Sequence, residues 1–252
     1  MIGVALGIFL GFRTNASYDR SWEGRQLWGR LVNCTRTITR QLELFLQSND
    51  AGEEIRTFRR DQARTLIAYV HALRGMLRHA SVDGDLERLL PGDVLTNMRE
   101  RRNPPNLLLQ ILSQRIREAW ERGWVNDFHL SRLDQSLEEL TSIQGGCERI
   151  SNTPLPFSYN FLIHRITAFC CLPLPFGIVG LVGTQTPFVC LMIAYVFFGL
   201  DAIGDEVEDP FGIEPNDLPL DAISRDIEID VLQMLGETDT PKPLQAERDI
   251  LL

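Results

Sequence analysis

From Ile166 to Leu200 no charged residue occurs. A helix needs about 20 apolar residues to cross a hydrocarbon core of about 30 Å. The run is therefore too long for one span and too apolar for an ordinary surface. Gly183-Thr-Gln-Thr-Pro187 interrupts it with a turn signal. Two spans are expected, about Phe157 to Val182 and about Thr186 to Asp201, forming a transmembrane hairpin over 157–204. Such a pair re-enters on the side it left. Pro173 and Pro175 predict a kink or break in the first span. The other reading, a buried hairpin of a soluble protein, is disfavoured by the length of the apolar run.

The chain opens on a second apolar run, Met1-Ile-Gly-Val-Ala-Leu-Gly-Ile-Phe-Leu-Gly-Phe12. It turns polar at Arg13 with no proline to stop a helix, so one continuous helix is expected to leave a membrane and run on into water. Gly3, Gly7 and Gly11 recur every four residues and share a face, as small-xxx-small ridges do in lipid. Val4, Ile8 and Phe12 form the neighbouring stripe. If several copies surrounded an axis, these three could make stacked apolar rings, and apolar constrictions gate ion flow by dewetting. On spacing alone, ordinary transmembrane packing is the favoured reading of both stripes. Twelve residues give roughly 18 Å of helix, too short to span. The chain is thus expected to begin inside a transmembrane helix, with a further span preceding it.

Between these runs the chain reads as polar helix. Trp28, Leu31, Thr35, Ile38, Leu42 and Phe45 lie near one face of the segment ending at Leu46. Asp50 is a fair N-cap for a second helix from about Glu53 to Arg78. A polar stretch with Gly84, Pro91 and Gly92 follows. Asn103-Pro-Pro105 starts a third helix to about Arg122, and a fourth covers about Asn126 to Ile150. After Glu237 the tail carries Pro241 and Pro243 and looks mobile.

Charge is unevenly placed. The net charge is -9, yet 21 of the 25 Lys and Arg residues lie between Arg13 and Arg149. A basic segment beside membrane spans suggests the cytoplasmic side. Asp201 to Asp230 holds eleven carboxylates against one basic residue, Arg225. An acidic chain without a basic groove is a poor nucleic-acid binder. Five cysteines without a CxxC spacing argue against a disulfide framework or a zinc site. No Walker loop, dinucleotide-binding glycine pattern or nucleophile elbow is present. No catalytic residue, metal site or cofactor is expected, and an enzyme is not.

Phe12-Arg-Thr-Asn-Ala-Ser-Tyr-Asp-Arg20, Glu23-Gly-Arg25 and Leu27-Trp-Gly29 together resemble the signature of the bestrophin family, in its bacterial branch. Gly146-Cys-Glu-Arg-Ile150, Thr153-Pro-Leu-Pro-Phe-Ser-Tyr159, His164-Arg165, Glu208-Asp-Pro-Phe-Gly212 and Asn216-Asp-Leu-Pro-Leu-Asp-Ala-Ile223 match in the same order. Ser21 departs from the aromatic usual there. The resemblance implies a homopentamer around one axial pore that passes monovalent ions. It implies a membrane neck at Val4, Ile8 and Phe12 and a second, cytosolic aperture at Val125. The family it resembles is generally described as chloride or anion channels, with cation conductors among bacterial members. The competing reading of Val125 is simple packing in a turn.

Asp205, Glu206, Glu208, Asp209, Glu214, Asp217 and Asp221 offer oxygen ligands that suit calcium or magnesium. Eukaryotic bestrophins place a calcium clasp after the matching Pro-Phe-Gly, where this chain reads Ile213-Glu-Pro-Asn-Asp217 with fewer consecutive acids. Helix caps and salt bridges to the arginine-rich helices are the favoured reading; acids facing a conduction path would instead concentrate cations. His164-Arg165, at a span's start, could be functional, could snorkel, or could pair with a carboxylate.

The expectation is therefore an all-α, multi-pass protein of the bacterial inner membrane with a bestrophin-like helical subunit. Its parts would be a partial pore-lining helix (1–12), a cytoplasmic helical region (13–156), the hairpin (157–204) and an acidic cytoplasmic C-terminal segment (205–252). Its expected partners are further copies of itself, monovalent ions and lipid, with no nucleic acid. The alternatives are a secondary transporter, which would carry internal repeats and polar midplane sites, and a membrane-anchored helical scaffold.

Overall fold

A computed structural model describes residues 2–48, 51–154 and 156–246, excluding the side chains of 2–6 and 157–160. Among the described residues all regular structure is helical. The chain divides into two compact units, Met1–Arg25 with Ile150–Pro210, and Gln26–Arg149 with Phe211–Leu252.

The first helix, α1 (Ile2–Phe45), is unbroken for 44 residues and contributes to both units. The absence of proline accounts for its continuity.

In the first unit the other elements are α7 (Phe157–Cys171), α8 (Leu174–Val182), a 3₁₀ turn at Gly183–Gln185 and α9 (Thr186–Glu206). Helical residues Phe161–Glu206 are long and apolar enough to cross a membrane, with mean hydropathy 2.0 and only 6% of the most apolar window buried. Laid straight, those 46 residues would reach about 70 Å, more than twice a hydrocarbon core. They fold back instead. Gly183 takes φ +55°, a conformation that favours glycine, and α9 packs against α7 and α8. The chain also breaks between Cys171 and Leu174, at Pro173. Leu10 of α1 is buried with Ile163, and Ile166, Cys170 and Phe197 surround the pair.

The second unit is built on α2 (Gly52–Arg78), whose residues Leu66 to Val70 and Leu73 are wholly buried. A helix apolar on so much of its circumference must be covered on several sides. It packs against α3 (Asp83–Leu89), α5 (Pro104–Glu121) and α10 (Leu220–Met234). The remaining helices are α4 (Gly92–Arg99) and α6 (Asp127–Asn152). Asn103 caps α5 by accepting the Asn106 N–H at 3.2 Å, with Pro104 in the first turn. The expected cap Asp50 lies outside the described residues; α2 follows Ala51.

Two further stretches fold into helices. The polar stretch after Arg78 holds α3 and α4, and the acidic stretch after Asp201 holds α10. Leu86, Leu89 and Met98 anchor the two short helices, and Leu220, Ile227 and Val231 anchor α10. These helices exist because they cover the core, which local sequence signals do not report.

Charge pairing is dense in this second unit. Glu228 is completely buried, facing His71 Nε2 at 3.1 Å and accepting from Arg88 at 2.5 Å. Burial pushes its carboxyl up, but hydrogen bonds from His71 and Arg88 and their charges outweigh this and hold it at about 2. Cys34 is the opposite case: burial, reinforced by the Glu139 charge, pushes its thiol up to about 12.

Candidate functional site

On α1 the buried and exposed positions separate by helical phase. Leu10, Arg13 and Ser17 are buried. Ile8 and Phe12 are 54% and 64% exposed, and Asn15 and Asp19 are exposed too. At about 100° per residue these four residues fall within roughly 60° of one another, on the side opposite Leu10, Arg13 and Ser17. The side chain of Val4, the third member of the expected neck, lies outside the described residues. A Cβ at Gly7 or Gly11 would meet nothing within 4 Å among the described residues, which leave the glycine ridge open there.

A charge clamp holds the back of the helix. The Arg13 guanidinium, fully buried, pairs with both Asp201 and Asp205 near the end of α9. His164 Nδ1 of α7 meets the other oxygen of Asp201. One carboxylate thus joins three helices at the base of the hairpin. Arg20 adds a second tie, donating to the carbonyls of Ile150 at 2.7 Å, Thr153 at 2.6 Å and Glu208 at 3.2 Å. Bidentate and forked donation of this kind is what a guanidinium does best. Arg165 does not join the clamp; its guanidinium lies 4.0 Å over the Phe161 ring. Of the readings open for His164, pairing with a carboxylate is the one observed.

Three of the acidic residues singled out as metal ligands serve in pairs and caps. Asp205 serves Arg13, Asp221 pairs with Arg74 and Arg78, and Asp217 accepts the Glu214 N–H at 2.7 Å. Among the described residues no three His, Cys, Asp or Glu side chains converge on a metal position.

Val125 sits in the turn between α5 and α6 and is only 3% exposed. Its neighbour Trp124 stacks edge-on against Phe58 and accepts the Gln47 N–H at its carbonyl. In this subunit Val125 packs and lines no open surface.

Sequence reasoning passed over Arg13, Asp201 and Asp19. A signal existed for the first two. Arg13 is the first charge after the opening apolar run and Asp201 the first after the charge-free run. Charges bordering two such runs have strong reason to pair.

The family model for the Bacterial/Fungal Bestrophin protein matches residues 1–233. The chain belongs to the bestrophin family. Among curated bestrophin relatives, a voltage-dependent anion channel-forming protein of Ralstonia nicotianae is 40% identical over 237 residues, 94% of this chain and 76% of that one. One from Escherichia coli K12 is 38% identical over 248 residues, covering 98% and 79%. The crystal structure of a bacterial bestrophin homolog from Klebsiella pneumoniae superposes with a TM-score of 0.89 at 37% identity, over 94% of this chain and 86% of that one. This bestrophin is accordingly an all-helical membrane protein and not an enzyme.

Proposed function

We propose that this chain is one subunit of a homo-oligomeric channel, a pentamer, that passes small monovalent ions down their electrochemical gradient across the bacterial inner membrane. Its relatives are named as anion channel-forming proteins. The observation that carries the reading is the phase of α1. Ile8 and Phe12 are exposed on the side facing away from the subunit's own hairpin. Asn15 and Asp19 continue the same side. The face runs from apolar Ile8 and Phe12 to polar Asn15 and Asp19, the order expected of a pore-lining helix that leaves the membrane near Arg13. The open ridge at Gly7 and Gly11 lets a neighbouring copy of α1 approach closely.

In this reading Ile8 and Phe12, with Val4 one turn earlier, form apolar rings that set the barrier by excluding water. The clamp from Arg13 and Arg20 to the hairpin's base fixes the rotation of α1, so that those rings face inward. Both α1 and the hairpin lie in the membrane, making the protein multi-pass, and the arginine-rich second unit lies in the cytoplasm. The constriction is assigned to α1 alone, because Val125 is buried in its turn.

The test is single-channel recording of purified protein in planar bilayers. Ile8→Ala or Phe12→Ala widens the neck and raises unit conductance. Unchanged unit currents in both variants would contradict the assignment. Saturable flux without unitary currents would favour a transporter, and no flux at all a scaffold.

A further inference from the structure

Every other charge near the neck is tied down or turned away. Arg13 is buried against Asp201 and Asp205. Arg20 spends its guanidinium on three main-chain carbonyls. Glu23 is half-buried, and Arg25 is exposed but lies roughly 120° around the helix from Asp19. Asp19 differs from all of them. It is exposed, it shares the face of Ile8 and Phe12, and no ion pair reaches it among the described residues.

We propose that Asp19 is a selectivity-determining residue of this bestrophin, one of a ring of carboxylates at the cytoplasmic exit of the neck that concentrates monovalent cations and repels anions. The inference rests on the pore reading above. From Phe12 to Asp19 is seven residues, about 10 Å along the axis. That is close to the Debye length of about 8 Å at physiological salt, so the ring's potential extends into the mouth of the neck. Symmetry multiplies the effect: each copy adds one negative charge at the same height, and the apolar rings above supply low-dielectric walls that focus the field. Carboxylate rings of this kind favour cations in pores. Asn15, one turn nearer the neck on the same face, offers a neutral amide whose oxygen can replace water around a passing cation.

The experiment measures reversal potentials across a KCl gradient in planar bilayers, using the full chain and the variants Asp19→Asn, Asp19→Glu and Ile8→Ala. Asp19→Asn is isosteric and removes one charge per subunit. The expected result is a fall in potassium-to-chloride permeability by roughly threefold or more, seen as a shift towards the chloride equilibrium potential. Asp19→Glu retains the wild-type ratio. The shift shrinks at high salt, where the ring is screened. An unchanged reversal potential in Asp19→Asn, with unit conductance still raised by Ile8→Ala, overturns the role of Asp19 and leaves the pore standing. Unchanged currents in both variants overturn the pore reading and Asp19 with it. Elution of each variant at the wild-type oligomer volume separates a charge effect from misassembly. A shift in Asp19→Asn that Asp19→Glu fails to restore also counts against the charge mechanism.

Discussion

Arg13 and Asp201 stand 188 residues apart in sequence and form an ion pair whose side chains are 0% and 5% exposed. Removing one partner of such a pair strands the other charge. Asp201→Ala is expected to cost about 3–5 kcal/mol, read as a large drop in the thermal midpoint of the detergent-solubilised protein. Asp205 also pairs with Arg13 but is half exposed. Asp205→Ala should cost about 1 kcal/mol or less. Equal losses in the two variants would contradict this ordering.

Glu228 gives the second unit an acid-sensitive element. Its folded-state carboxyl sits at about 2, below the ordinary 4.5. The unfolded chain therefore takes up this proton first as pH falls. The stabilisation is fully present above pH 4.5 and is lost progressively as pH falls towards 2. The Asp85 carboxyl is shifted in the same direction: burial raises it, but His71, Arg74 and Arg88 outweigh that. Glu228→Gln should lower stability at neutral pH and flatten its decline in that window. Denaturant titrations at stepped pH measure both, and a variant with the wild-type slope would refute the assignment.

Gly145 and Gly146 are adjacent on α6 but should respond oppositely to a side chain. A Cβ on Gly146 would meet both Leu27 methyl carbons at 2.9 Å, and Leu27 is itself buried. Gly146→Ala is expected to cost about 1–3 kcal/mol through overpacking, partly relieved by Leu27→Ala. A Cβ on Gly145 meets nothing within 4 Å. Gly145→Ala should be neutral or stabilise by up to about 1 kcal/mol, through the helix preference of alanine. Thermal midpoints of the three variants decide.

Much of this architecture was legible in the sequence where one local signal dominated. The proline-free stretch from Met1 gave away α1, and the charge-free run with Gly183 and Pro187 gave away the hairpin. The family signature carried the oligomeric expectation. Helices α3, α4 and α10 were hidden, because Gly84, Pro91 and the run of carboxylates imitate loops while Leu86, Met98 and Ile227 act only through distant partners. The exposed stripe of Ile8 and Phe12 could be drawn from spacing. Its acidic continuation at Asp19 could not be separated from an ordinary solvated face. That separation needed the knowledge that Arg13 and Arg20 point the other way. Val125, a position named by resemblance, is 3% exposed in the turn between α5 and α6.

The central claim is that the Ile8 side of α1 borders water inside an assembly. Its most direct test is the current through Ile8→Cys channels during exposure to a charged, membrane-impermeant thiol reagent, with the wild type as control. The account expects stepwise loss of current in the variant and none in the wild type. A variant that conducts normally, ignores the aqueous reagent and is labelled only by a lipid-soluble maleimide would place Ile8 against lipid and contradict it.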